Sequence, residues 1–156
     1  MGNYLSIISA CIKGYDYRKS VMAYSYTKVN NAVLKFLIKN VTLRRANIVV
    51  SDKAKIGYGL RFPHAFCIVI GEGVQLGAHC KIYNEVTLGQ NSSGYPIIGD
   101  NVIIYPGCRV IGNIHVGNNV VIGANSVVCN DVPDNAIIAG VPAKVIRYRS
   151  ETDEFY

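Results

Sequence analysis

The feature that most limits what this chain can fold into is a six-residue period running from Ile56 to Val132. With Ile56, Phe62, Ile70, Leu76, Ile82, Leu88, Ile98, Ile104, Val110, Val116, Ile122 and Val128 as first positions, every one is aliphatic or Phe, and seven of the twelve precede a glycine. The fifth positions, Leu60, Phe66, Val74, Cys80, Val86, Val102, Cys108, Ile114, Val120, Ser126 and Val132, are apolar or small. Two inward positions in six fit neither the 3.6-residue period of a helix nor the alternation of an ordinary strand. They fit a parallel β-helix, in which one unit is a short strand plus a tight corner and three units close a triangular coil. Buried free thiols pack as small hydrophobes, so Cys67, Cys80 and Cys108 are expected to fill core positions.

A chain of 156 residues holds one domain with a real core and is too short for two. The expected organisation is an all-β solenoid over residues 48–147, a helical cap over residues 1–47 and a tail over residues 148–156. Within the cap, Val29, Val33, Phe36, Leu37 and Val41 stand near helical spacing, and eight Lys or Arg face the single Asp16. That basic surface is either a solvated face or an attraction to a membrane surface or an anionic lipid-linked glycan. The net charge of +6 comes without a recognised nucleic-acid motif, so nucleic acid is not an expected partner. Five cysteines form no CxxC pair, and His64, His79 and His115 lack zinc spacing. Neither a disulfide framework nor a metal is indicated. The N-terminus lacks basic residues before its apolar stretch, and no run of eighteen apolar residues occurs. The expected location is the cytoplasm, with room for association at the inner face of the membrane.

Two interruptions break the period. Ile70 follows Phe62 by eight residues, and Ile98 follows Leu88 by ten. The surplus must leave the coil as a bulge directly after His64 and as an extruded loop at 89–96, GQNSSGYP, and extruded loops on a rigid scaffold commonly carry function. At three units per coil, Asn84, Pro106, Ala124 and Pro142 stack above His64. Four rungs at strand spacing span roughly 19 Å, about the reach of a pantetheine arm. Lys144, Arg147 and Arg149 stand at the far end to meet phosphates. His79 and His115, beside no interruption, are expected on the surface.

From about Ile48 to Arg147 the chain resembles the hexapeptide-repeat acyltransferases with a left-handed β-helix, and most closely their serine O-acetyltransferase-like branch, which includes polysaccharide O-acetyltransferases. The motifs that carry the resemblance are IGYGLRFPHAFCIVIGEG, NEVTLGQ, YPIIGDNV, RVIGNIHVGNNVVIGANSVV and AGVPAKVIR. The resemblance implies a homotrimer with sites between subunits, acetyl-CoA as co-substrate, and His64 as the base that deprotonates an acceptor hydroxyl. Gly89, Pro106, Ala124 and Lys144 are the expected cofactor-binding residues, and Asn84 and Tyr95 the substrate-binding ones. Pro63 and Val49 replace two aspartates of the serine enzymes, and Gly94-Tyr95 replaces an arginine-histidine pair. Glu85, Glu72 or a neighbouring subunit must then orient the base, with Glu85 the first choice. The lost charges favour a sugar or surface-glycan hydroxyl as acceptor. Serine is the alternative acceptor, and a non-catalytic scaffold is the alternative class.

Overall fold

The computed structural model describes residues 28, 30–37, 43 and 46–150. Among the described residues a short helix, α1 (Ala32–Leu37), precedes a parallel β-solenoid. The strands in chain order are β1 (Val49–Val50), β2 (Lys55–Ile56), β3 (Val69–Ile70), β4 (Gln75–Leu76), β5 (Lys81–Ile82), β6 (Thr87–Gly89) and β7 (Ile97–Ile98). They continue as β8 (Ile103–Ile104), β9 (Arg109–Ile111), β10 (His115–Val116), β11 (Val121–Ile122), β12 (Val127–Val128), β13 (Ala136–Gly140) and β14 (Ala143–Tyr148). Most are only two residues long because each has to cross one face of a narrow prism before the next corner.

Three sheets form the faces. The first stacks β1, β3, β6, β9 and β12, the second β2, β4, β7 and β10, and the third β5, β8, β11, β13 and β14. Each rung presents its first-position residue inward, and Ile70, Ile82, Leu88, Ile104, Val110 and Ile122 have no exposed surface. The preceding residue points outward, with Ile103 on β8 a buried exception, so a two-residue strand suffices to define register. A regular coil takes eighteen residues, as from Val69 to Thr87 or Arg109 to Val127. The two enlarged coils take twenty, from Val49 to Val69, and twenty-two, from Thr87 to Arg109. The all-β solenoid of hexapeptide repeats expected from the sequence is the observed fold.

The structure corrects three details. Phe66 is not a core residue: it is 50% exposed, and Ala65 and Ile68 are buried in its stead. Two surplus residues between fixed rungs shift the fifth position to Ile68, and the aliphatic side chain fits the narrow interior. Cys67 therefore sits at a corner with φ of 52° and is only partly buried, whereas Cys80 and Cys108 fill the core as expected. The topmost coil is two residues short, with Val121 paired to Ile137, and the chain then turns back so that β14 runs antiparallel to β13. Pro142 thus lies in the two-residue turn of this hairpin, Val141-Pro142, and Gly140 takes its expected place above Ala124.

The helix expected in the N-terminal segment is present over six residues, with Val33 and Phe36 exposed. The apolar segment YLSIISACI and the tail over 151–156 lie outside the described residues.

Candidate active site

The corner that returns the chain from the third face to the first is the edge that carries His64. Along it, successive turns are tied by backbone bonds from Cys67 N to the Ala46 carbonyl, Glu85 N to Phe66, Gly107 N to Asn84 and Asn125 N to Pro106. This ladder stacks Phe66, Asn84, Pro106 and Ala124. His64 belongs to the loosened segment beside it: its carbonyl accepts from Phe66 N at 3.0 Å, and its side chain is exposed. Counting from the preceding strand had placed His64 itself beneath Asn84. The two extra residues instead carry it out of the stack, onto the rim of the edge.

The imidazole lies against the Tyr83 ring, with centroids 5.7 Å apart, and Tyr83 stacks on Tyr105 at 5.1 Å. Both tyrosines escaped the sequence reasoning. The signal that could have found them is their position directly after Ile82 and Ile104, where most units carry glycine. Asn84 and Glu85 remain together on the rung above, the Asn84 amide donating to Glu85 Oε1 at 3.4 Å. Glu85 has a φ of 60°, and Arg109 holds this corner by donating from Nη1 to the carbonyls of Glu85 and Gly107. Glu72, the other carboxylate weighed as an orienting partner, is on a different edge and pairs with Lys53.

Above Asn84 the edge narrows to Pro106, Ala124 and Gly140, a series with little side-chain bulk. Lys144, on β14, is exposed beside the top of this column, opposite Ala139. A thin, extended ligand can lie along such a ridge without displacing side chains.

Gly89 and the extruded loop occupy the corner between the first and second faces. Here Asn91 and Gly94 bond to each other through their backbones, Ser93 N and Oγ donate to Asn91 Oδ1, and Ser93 Oγ accepts from Asn113 N. The loop is therefore a compact hairpin resting on the turn above. Tyr95, expected to meet substrate, is half-buried and packs against the core. A Cβ on Gly73 would come within 2.3 Å of its ring, and one on Gly71 within 2.8 Å. These two glycines make the seat that holds the loop's base. His79 is exposed, edge-on to Tyr58 with ring centroids 5.7 Å apart, and His115 is exposed as well, so both lie on the surface as expected.

Comparison with known proteins places this architecture. Residues 95–130 match the bacterial transferase hexapeptide (six repeats) family. The serine acetyltransferase of Synechococcus elongatus is 38% identical over 122 residues, which cover 76% of this chain and 50% of that protein. The crystal structure of Neisseria gonorrhoeae serine acetyltransferase superposes with a TM-score of 0.78 at 31% identity, covering 90% of this chain and 56% of the other. A serine acetyltransferase in complex with CoA gives a TM-score of 0.73 at 34% identity, covering 83% and 56%. The chain spans about half the length of the relatives it matches.

These relatives overturn the expectation of a sugar or surface-polysaccharide acceptor, because the proteins that match are serine acetyltransferases. The expectation leaned on missing charges at Pro63, Val49 and Gly94-Tyr95, and on Tyr95 as a ring for a sugar to stack on. The ring faces Gly71 and Gly73, so that support is removed. Charges absent from four positions do not prevent other groups, including Glu85, from meeting an amino acid.

Proposed function

This chain belongs to the hexapeptide-repeat transferases, on the branch resembling serine acetyltransferases, and on that premise we propose that it transfers an acetyl group from acetyl-CoA to the hydroxyl of serine. The observation that carries the reading is His64, set out on the rim at the foot of an edge whose upper rungs, Pro106, Ala124 and Gly140, leave room for a thin chain. His64 takes the hydroxyl proton as the serine oxygen attacks the thioester carbonyl. The carbon–sulfur bond then breaks, and the proton passes to the departing thiolate. No enzyme nucleophile is required. Glu85, one rung up and bonded to the Asn84 amide, is the carboxylate that would pair with a substrate ammonium.

The acetyl-CoA arm runs along the edge from His64 to Gly140, four rungs or roughly 19 Å away, with Lys144 one strand further on β14. Within one chain His64 and the extruded loop lie on different edges of the prism, so a complete site takes the loop of one copy and the His64 edge of another. A homotrimer around an axis parallel to the solenoid brings those edges together by one repeated contact.

The test is release of free CoA thiol by the purified protein from acetyl-CoA with serine as acceptor. Saturable, serine-dependent release supports the assignment. Binding of CoA without serine-dependent release overturns it.

A further inference from the structure

The C-terminal side of each first-position residue is a glycine in seven of twelve repeat units, which shows that the coil itself asks for no side chain there. On the His64 edge, two consecutive rungs depart from that pattern with the same residue, Tyr83 and Tyr105. Their backbones sit on regular rungs, Tyr83 N bonded to the Ile104 carbonyl and Tyr105 N to the Ile122 carbonyl, each at 3.0 Å. The rings stack at 5.1 Å with planes 22° apart, and Tyr105 remains 37% exposed. Burial therefore does not account for the pair. The lower ring meets the His64 imidazole at 5.7 Å and a 53° tilt.

His64 itself is mounted on the bulge, where two surplus residues break the regular coil. A general base has to be held near its acceptor, and a small misplacement is costly in rate. We propose that Tyr83, backed by Tyr105, is the positioning residue that fixes the His64 imidazole on an otherwise irregular segment. The ring, and not the hydroxyl, does this, because the two rings are the groups that meet, tilted by 53°. Tyr105 keeps Tyr83 from rotating away, so the two act in series. The role builds on acetyl transfer by His64 as proposed above.

Two readouts separate this role from a structural one. In Tyr83→Ala, turnover should fall about tenfold to a hundredfold with the KM for acetyl-CoA nearly unchanged, and Tyr83→Phe should restore most of it. Tyr105→Ala, which leaves the first contact in place, should show the same effect at smaller size. In parallel, the His64 ring-proton resonance in NMR should move toward its position in an unstructured peptide in Tyr83→Ala but not in Tyr83→Phe. Wild-type turnover in Tyr83→Ala, or equal loss in Tyr83→Phe and Tyr83→Ala, overturns the positioning role alone. An inactive wild-type protein overturns the transferase reading and the role with it. If Tyr83→Ala does not fold, Tyr105→Ala decides: full activity with an unmoved His64 resonance rejects the role.

Discussion

His64 shows how much one residue's position can be read from spacing. The count of eight residues between Phe62 and Ile70 located the bulge, because a rigid coil must eject what it cannot wind. It did not locate the histidine within the bulge, since two surplus residues can be absorbed anywhere between two fixed rungs. Side-chain fit decides that, with Ala65 and Ile68 inside and Phe66 outside. Replacing His64 by Ala should lower turnover at least about a hundredfold while CoA affinity, measured by calorimetry, stays nearly constant. The cysteines offer a second check at this scale. Burial, the largest influence, pushes the Cys80 thiol up to about 11 and raises that of Cys108. A raised thiol is almost wholly protonated at pH 8, and the thiolate is the reactive form. A thiol reagent at pH 8 should therefore modify exposed Cys129 readily, and Cys80 and Cys108 only once the solenoid is unfolded.

The repeat was legible at the level of elements because an inward residue every six positions leaves few architectures open. Its glycines have a specific task at the corner between the second and third faces. A Cβ on Gly57 would come within 2.4 Å of the Gly77 backbone, and one on Gly77 within 2.5 Å of Gly99. Backbone cannot step aside as a side-chain tip can, so Gly77→Ala should lower stability to chemical denaturation by about 1–3 kcal/mol. Gly89→Ala, whose Cβ would find only ordinary contacts with Ile111 and Thr87, should cost less. The end of the solenoid was less legible: AKVIRY alternates enough to pass for a further rung, yet it returns antiparallel as β14. What closes the top instead is Ser126, a buried hydroxyl that donates to the Gly123 carbonyl at 2.6 Å and accepts from Gly140 N at 3.2 Å. At other fifth positions an aliphatic or thiol fills this place, and only the last complete coil has a turn to hold down.

For the whole molecule, the separation of His64 and the extruded loop onto two edges is what no residue count revealed. Sequence order puts Tyr95 and Asn84 close together, whereas the prism sends them to different corners. A site assembled from two copies has a measurable signature. His64→Ala subunits and subunits lacking residues 90–95 should each be inactive, and a refolded equal mixture should recover about a quarter of wild-type sites if copies assort at random in a closed ring. Light scattering should give a trimer mass for the active species. The acceptor was misjudged at this scale too, because missing charges on one chain were taken as a property of the complete site.

The measurement that bears most directly on the account is product identification by mass spectrometry after incubating the purified protein with acetyl-CoA and isotope-labelled serine. Serine bearing one acetyl group on its oxygen should form in the wild-type reaction, and its rate should drop at least about a hundredfold in His64→Ala. No acetylated serine from a folded protein that binds CoA, or undiminished formation by His64→Ala, would contradict it.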